Sequence, residues 1–468
     1  MQKSVSIKDR HVRPLEMMFL CALMSVFFGV NLGSLFAFRE QLSYLFMLDS
    51  YDLDNVLGVF LLGALAGAFL GGFIVSGSGR RIGIILGFVF GAAADCTGVL
   101  APSFSTLLLS EIAAGTGFGI FMVASTVYGC EIASSYMRGR CCCLPAVGCA
   151  FGIGFVIICR DLLPTNSGTA VFLIAGSAVM LCCAVIIRFP ESPRWLVRAG
   201  FNEAALASLI FLRDDQMAAA RELALINERD RIPDRNLRLF LHSGIYRSAL
   251  WLLLIMTFLI HMAGLAFIPY ASLDLISRFQ QQFLGYFYTY SYDYGYGFIK
   301  AAATVGIFGT VSALWLCDRM KRTGLLLGSI IACLVTLILL SGASLFGFGN
   351  ISTILLSALV LVFIYASMLC LSLFFFVFVP ELLPTAGREF GVSVVFITCF
   401  AALLAGINEL NPVVGYYSLS FFFAFCAGIC AFLAVFISRK MPETSAIALE
   451  MLETRLFEDK LLSRRSLY

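Results

Sequence analysis

Glutamate and arginine recur at one fixed spacing in a chain that is otherwise apolar. Glu131 precedes Arg138 by seven positions, and Glu381 precedes Arg388 by the same interval. Carboxylates and guanidinium groups form hydrogen-bonded ion pairs, which is the chemistry of a clamp and not of bond making. A single exposed ion pair contributes only about 0 to 1 kcal/mol, so one motif alone fits solvated loop charge equally well. Because the motif is duplicated, we favour a clamp.

Further charges lie near these motifs and extend the predicted clamp. Arg80 and Arg81 follow an apolar stretch, where cations complement the negative end of a helix dipole. Several partly buried pairs together bias two states by a few kcal/mol, enough to move a population substantially. Breaking the clamp is expected to favour the inward-open form. The predicted clamp residues are Arg80, Arg81, Glu111, Glu131, Arg138, Glu191, Arg194, Asp318, Arg319, Arg322, Glu381, Arg388 and Glu443.

The elements that must hold these charges are membrane helices. The chain is 60% hydrophobic and only 13% charged, which lies outside the range of globular proteins. Spans of about 20 apolar residues are long enough to cross a bilayer. We therefore predict an all-α membrane protein with twelve spans, at residues 15–38, 55–75, 82–100, 104–127, 141–159, 169–188, 249–270, 295–316, 324–345, 353–379, 390–407 and 416–437.

One long charged segment divides these spans into two sets of six. The predicted units are a short N-terminal segment, a six-helix bundle, a helical linker, a second six-helix bundle and a tail, at residues 1–14, 15–188, 189–247, 248–437 and 438–468. Lysine and arginine concentrate in the two terminal segments, in the linker and in the loops on that same side. The positive-inside rule therefore predicts that both termini, the linker and the clamp are cytoplasmic.

An internal repeat supports this division. GSGRRIG at 77–83 follows the second span and CDRMKRTG at 317–324 follows the eighth, while PESPR and PETSA follow the sixth and twelfth. The two motifs with arginine seven positions after glutamate, written E-x6-R, follow the fourth and tenth spans. Recurrence in the same order indicates a parallel duplication, with a pathway between two halves related by an axis along the membrane normal.

With these motifs the sequence resembles the sugar porters of the major facilitator superfamily. The resemblance spans residues 29–444, and its most specific part is PESPRWL at 190–196, followed by the duplicated E-x6-R motifs. It implies the major facilitator fold, two six-helix bundles with short cytoplasmic helices between them. The implied activity is passage of a small solute by alternating access.

The chain departs from the family at two charged positions. The family usually has an acidic residue three positions before G-R-R, where this chain has Ser76, and an arginine in the fourth span, where this chain has Glu111. We interpret the two changes as compensating, with Glu111 supplying the carboxylate near Arg80 and Arg81.

The resemblance also indicates where a substrate binds. The seventh-span pattern Q-Q-x-x-G-x-N-x-x-x-Y-Y is IHMAGLAFIPYA here, so Gly264 and Tyr270 match and His261 replaces a glutamine. Imidazole donates and accepts hydrogen bonds, and polar residues at membrane depth are functional by default; the alternative is a histidine satisfied by a neighbouring helix. The candidate substrate contacts are Asn31, His261, Gly264, Tyr270 and Phe376. Few of the family's hydroxyl partners are present, so a less polar substrate stays open.

Asn31 also bears on the energy source of transport. Proton-coupled members of the family commonly have an aspartate at this place in the first span. Because an amide does not carry an exchangeable charge at physiological pH, Asn31 favours facilitated diffusion. Asp95 in the third span is either a water-facing residue or a substitute proton site, so proton symport stays an alternative.

The remaining patterns limit the function classes. The chain lacks the G-x-x-x-x-G-K-[ST] motif of ATP-driven pumps, and its 16 cysteines lack metal-site spacing. We predict no enzyme activity, no cofactor, no metal and no nucleic-acid partner. The predicted function is a monomeric plasma-membrane transporter of a hexose or related small polyhydroxyl solute. Alternatives are another small organic solute and a non-transporting nutrient sensor; a sensor is expected to carry a long cytoplasmic tail, and the short stretch after Ala446 favours transport.

Overall fold

The computed structural model describes a helical molecule. It describes residues 12–38, 42, 44, 46–47, 50–99, 103–160, 189–229, 237–269, 292–346, 350–416 and 418–457, and within these ranges no strand occurs. The long helices of the first part are α1 (Val12–Ala37), α2 (Ser50–Ser78), α3 (Arg80–Val99), α4 (Phe104–Ile132) and α5 (Arg138–Cys159).

Short helices follow, and then a second set of long ones. The short helices are α6 (Pro193–Arg198), α7 (Asn202–Arg213), α8 (Gln216–Arg229) and α9 (Leu237–His242). The later helices are α10 (Gly244–Met262), α11 (Tyr292–Leu316), α12 (Arg322–Phe346), α13 (Asn350–Leu373), α14 (Val379–Leu382), α15 (Arg388–Tyr416), α16 (Leu419–Lys440) and α17 (Leu449–Phe457).

Ten helices of the described residues are long and apolar enough to cross a membrane. Helix α3 lies at the third predicted span, and the sixth predicted span, residues 169–188, lies outside the described residues. Large hydrophobic side chains such as Phe308, Ile338 and Phe432 are more than half exposed, as expected of surfaces that face lipid.

Small residues let the helices of the first half approach closely. A Cβ atom added at Gly67 on α2 would lie 2.1 Å from the carbonyl oxygen of Thr116 on α4, and one added at Gly119 would lie 2.2 Å from that of Ala64. Only glycine fits such a contact, which is a common way of packing membrane helices. The G-x-G run at 115–119 therefore serves helix packing.

The packing order of the first half recurs in the second. Helix α1 packs on α5, and α4 packs on both α2 and α3; in the second half α10 packs on α15, and α13 packs on both α11 and α12. The two halves meet where α2 packs on α15 and where α5 packs on α11. There the Ser393 hydroxyl donates to the carbonyl oxygen of Ala68, at 2.7 Å.

Two breaks interrupt the helices of the second half. Helix α10 ends at Met262 and the chain turns at Gly264, whose φ of +80° favours glycine. Helix α13 passes into a π-helical turn at Phe374–Phe378 before α14. Pro380 in α14 has no N–H to donate to the preceding turn, which explains why the regular hydrogen-bond pattern changes there.

The short helices pack together and lie against one end of the long helices, which we call the linker side. Val197, Leu209, Ala219 and Ile226 form a small core of their own among α6, α7 and α8. The linker side carries the ends of α2 and α4 and the beginnings of α3 and α5. The charged motifs of both halves lie here.

Candidate functional site

Buried ion pairs at the linker side join the two halves. On one half, the Arg80 guanidinium bonds the Glu131 carboxylate, with Nε 2.9 Å from Oε2. Glu131 also accepts from Arg388 of the other half, Nη1 to Oε1 at 3.4 Å. These three side chains are at most 1% exposed. Buried charges need such complete pairing, because an isolated ion is costly away from water.

The same arrangement recurs with the halves exchanged. Arg322 bonds both oxygens of Glu381, at 2.5 and 2.6 Å. Glu381 also accepts from Arg138 of the first half, at 3.2 Å. Each E-x6-R arginine therefore pairs with the glutamate of the opposite half. The spacing within one motif does not predict that the ion pairs form between the two halves.

Two further glutamates, Glu191 and Glu443, accept hydrogen bonds from the backbone at the start of a long helix, one in each half. The Glu191 carboxylate accepts the backbone N–H groups of Arg80 and Arg81 at the start of α3, at 3.0 to 3.2 Å. Glu443 accepts those of Arg322 and Thr323 at the start of α12, at 3.1 and 3.2 Å. Carboxylates stabilise helix N-termini by satisfying free donors and opposing the dipole. Glu191 of the PES motif and Glu443 of the PET motif therefore cap the N-termini of α3 and α12, which lie far from them in sequence.

Burial raises the pKa of Glu191, although the N–H groups of Ser192, Arg80 and Arg81 partly offset it. Ser192 takes a second role, since its hydroxyl donates to Glu131 Oε2 at 2.5 Å. The Arg81 side chain donates to the carbonyl oxygen of Phe189, at 2.7 Å. The PES motif thereby connects the caps to the ion pairs.

This chain has Ser76 where the family usually has an acidic residue, and a carboxylate of the second half takes the place of that residue. Asp318, at the matching place in the second repeat, bonds Arg322 at 2.8 Å and accepts the N–H groups of Gly139 and Arg140 at the start of α5. Around Arg80 the equivalent carboxylate is Glu389 at the start of α15, with Oε2 3.2 Å from Nη2.

Glu389 occupies the place that Gly139 has in the other repeat. It is fully buried and also pairs with Arg198 of α6. We name these residues the charge network: Arg80, Glu131, Arg138, Glu191, Arg194, Asp318, Arg322, Glu381, Arg388, Glu389 and Glu443. We did not predict Glu389 from the sequence. It follows Arg388 at the position where the first repeat has Gly139, and this difference between the repeats was a usable signal.

Arg194 links the charge network to α17. Its guanidinium donates to Glu450, with Nη2 2.6 Å from Oε1, and to the carbonyl oxygen of Glu131. Burial alone would raise the pKa of Glu450, but Arg194 outweighs it and holds the pKa below its ordinary value. Leu449 and Leu452 of α17 are buried beside these charges. Sequence analysis did not predict this docking.

Two predicted clamp residues lie elsewhere. Glu111 precedes Glu131 by twenty positions on the continuous helix α4, which corresponds to about 30 Å. The prediction that Glu111 supplies a carboxylate near Arg80 and Arg81 is therefore wrong. Arg319 is exposed and stacks over the Trp315 ring, its Cζ atom 4.0 Å from the centroid. No ion pair of Arg319 occurs within the described residues, so its assignment to the clamp is also wrong.

The candidate substrate contacts that the structure describes are buried. His261 is 1% exposed, and its Nδ1 lies 2.7 Å from the carbonyl oxygen of Thr257. Its Nε2 has no partner among the described residues. Asn31 on α1 is buried at 4% exposure. Tyr270 lies outside the described residues.

An aromatic cluster lies beside His261. Phe375 meets its ring edge-on, with centroids 6.1 Å apart, and both Phe375 and Phe376 contact Phe396 of α15. Phe376 belongs to the π-helical turn, and Gly264 forms the turn that follows His261. Both bends thus lie near a buried imidazole whose Nε2 has no partner within the described part of the chain.

Comparisons with known proteins agree with this architecture. The sequence profile of the family described as "Sugar (and other) transporter" matches residues 17–456. The galactose-proton symporter of Escherichia coli is 23% identical over 449 residues, covering 95% of this chain and 94% of the relative. The major myo-inositol transporter IolT of Bacillus subtilis is 25% identical over 426 residues, covering 87% and 86%.

A solved structure shows the same fold. The proton:xylose symporter XylE of the major facilitator superfamily, bound to 6-bromo-6-deoxy-D-glucose, superposes with a TM-score of 0.78 at 17% identity. The match covers 94% of this chain and 98% of XylE. Since the family profile covers nearly the whole chain, the protein belongs to the sugar (and other) transporter family.

Proposed function

We propose that this transporter carries a hexose or a related small polyol across the plasma membrane by alternating access. The proposed architecture is twelve spans in two six-helix bundles, residues 15–188 and 248–437, acting as a monomer. The linker side and both termini face the cytoplasm in this proposal, in accord with the positive charge of the linker and loops. The names of the relatives, which include a galactose, a xylose and a myo-inositol carrier, support the substrate class.

The reciprocal ion pairs between the halves are the observation that carries the mechanism. Arg388 reaches Glu131, Arg138 reaches Glu381 and Arg80 reaches Glu389, so each pair must separate before the linker side opens. Pairs that form in only one state bias the equilibrium toward that state. The charge network is therefore the gate that closes the cytoplasmic end.

The central histidine supplies the proposed substrate contact. A sugar hydroxyl both donates and accepts, so it can bond the Nε2 of His261 in either tautomer. Phe375 and Phe376 offer the apolar surface that packs against the ring face of a sugar. Asn31 on α1 would contact the substrate from the first half, which gives both halves a share in the site.

Sugar exchange in proteoliposomes tests the proposal without any assumption about driving force. Vesicles loaded with unlabelled sugar are given labelled galactose, xylose or myo-inositol outside, and entry of label is followed. We expect saturable entry of at least one of the three that excess unlabelled substrate abolishes. Entry equal to that of protein-free vesicles for all three would refute the proposed substrate class.

A further inference from the structure

Glu111 is a buried carboxylate that the charge network leaves unused. It lies on α4 and is 6% exposed. Its Oε2 atom has no hydrogen-bond partner among the described residues. Ionisable groups at membrane depth mark ion or substrate pathways as a rule.

Glu111 lies on the face of α4 that is turned toward the meeting point of the halves. Residues seven positions apart share a helix face, and Phe118 follows Glu111 by seven. Phe118 contacts Phe28 of α1, Phe60 of α2 and Phe400 of α15, with ring centroids 5.4, 5.6 and 6.0 Å away. Glu111 lies about 10 Å further from the linker side along this face.

No cation of the packed helices is placed to pair with Glu111. The membrane-depth stretches 17–37 of α1, 55–78 of α2, 141–159 of α5 and 390–407 of α15 contain no Asp, Glu, His, Lys or Arg. Their titratable groups are thiols, including Cys21, Cys149 and Cys399. Helix α3 contributes Asp95, which lies one helical turn beyond Gly91.

The surroundings decide the protonation state of Glu111. An unpaired carboxylate in an apolar environment costs far more as an anion than as the neutral acid. In the conformation described here, Glu111 therefore holds a proton. If the alternating motion exposes this face to water, the anion is hydrated and the proton leaves.

We propose that Glu111 is the proton-exchange residue of this carrier, so that each transport cycle moves one proton with the substrate. The carboxylate takes up a proton from water on one side, crosses the occluded state as the neutral acid and releases that proton to water on the other side. The proposal rests on the proposed function, and it assigns coupling to α4 although α1 carries the amide Asn31.

Proton movement upon sugar addition tests this assignment. Wild-type vesicles containing a pH-sensitive dye are given substrate without a pH gradient, and internal acidification is recorded. We expect acidification in wild type, none in Glu111→Gln, and acidification retained in Glu111→Asp and in Asp95→Asn. With a pH gradient of one unit, wild type is expected to accumulate substrate up to about tenfold, and Glu111→Gln not at all.

Sugar exchange in the same vesicles separates the ways of failing. If wild type shows no exchange, the proposed function fails. If wild type exchanges sugar but moves no protons, or if Glu111→Gln still moves them, the assignment of Glu111 is overturned while the proposed function stands. If the Glu111→Gln protein fails to fold, Glu111→Asp decides, because a shift in the pH profile of uptake is expected and an unchanged profile refutes the assignment.

Discussion

The carboxylate at Glu389 shows how single residues of this chain compensate for one another. It stands 3.2 Å from Arg80 and also pairs with Arg198, so its loss leaves two guanidinium groups with one counter-charge fewer. Breaking a buried ion pair costs about 3 to 5 kcal/mol when the partner is left alone. Arg80 keeps Glu131, which reduces the cost here.

Glu389→Gln is therefore expected to shift the population toward the state open at the linker side. The measurement is the distance between probes introduced at the exposed positions Ser78 and Met320, which we expect to lengthen. Glu389→Gly combined with Ser76→Asp mirrors Gly139 and Asp318 of the other repeat and should restore the shorter distance. A double variant no different from Glu389→Gly alone would argue against the replacement.

His261→Phe is expected to weaken substrate binding. The change keeps a ring of similar size but removes Nε2, the proposed substrate contact, and a hydrogen bond contributes about 1 kcal/mol. We expect the KM for sugar exchange to rise by roughly fivefold to tenfold. His242→Gln, at the exposed end of α9, is the control with unchanged KM. Equal KM values for wild type and His261→Phe would exclude His261 from the site.

Residue types and the repeat predicted most side chains of the charge network, but not Glu389 and not how the side chains pair. The E-x6-R spacing identified Glu131 and Arg388 without showing that they bond each other across the halves. Glu111 was wrongly assigned to the clamp because its carboxylate suits an ion pair with arginine, and its distance along the helix from Glu131 was not considered. Twenty positions of continuous helix were enough to exclude the contact.

At the scale of elements, close contacts between helices determine which substitutions the helices tolerate. Gly119→Ala on α4 places a methyl group 2.2 Å from the carbonyl oxygen of Ala64 on α2, so the helices must separate. Overpacking of this kind costs about 1 to 3 kcal/mol. We expect a lower midpoint of thermal unfolding in detergent. Gly328→Ala on α12, where nothing lies within 4 Å, is the matched control and should be neutral or stabilising.

The docking of α17 is expected to depend on pH. The folded pKa of Glu450 lies below its ordinary value of 4.5, so its bond to Arg194 stabilises docking above that value and is lost as the pH falls through the folded pKa. Protection of the amides of 449–457 against hydrogen exchange, corrected for intrinsic rates, should be constant from pH 8 to 5 and fall below about pH 4. In Arg194→Gln this fall should be absent; a fall of equal size would point to another group.

The bends in the second half were only partly foreseeable. Gly264 matched a family pattern, and its φ of +80° explains why glycine stands there. The π-helical turn at Phe374–Phe378 had one signal in the sequence, Pro380, because a proline inside a long apolar run disturbs the pattern before it. The seven apolar residues in a row at 373–379 gave no indication of which backbone groups would change hydrogen-bond partners.

At the scale of the molecule, hydropathy and the repeat predicted most of the architecture. Apolar length identifies membrane helices well because backbone groups in lipid must be satisfied within the helix. The contact of α2 with α15 and of α5 with α11 follows from the duplication but not from any single segment. Those contacts depend on groups that meet only in the folded protein, such as the Ser393 hydroxyl and the carbonyl oxygen of Ala68.

A crosslink across this contact is expected to stop transport. The Cβ atom built on Gly72 lies 3.0 Å from that of Ser393, so cysteines at both positions can form a disulfide after a small shift. In Gly72→Cys/Ser393→Cys, oxidation should hold the linker side closed and reduce sugar exchange to background, and reduction should restore it. Each single variant is a control. Undiminished exchange with a complete crosslink would show that the halves do not separate here.

The carboxylate supplied by Glu389 has a consequence for hybrids between related carriers. Members of the family with an acidic residue at the place of Ser76 provide it from the first half, whereas this chain provides it from the second. Joining such a first half to the second half of this chain would place a third carboxylate beside Arg80, which already bonds Glu131 and Glu389, and the reverse hybrid would leave Arg80 with Glu131 alone. We therefore expect the two halves of this chain to combine poorly with the halves of such relatives.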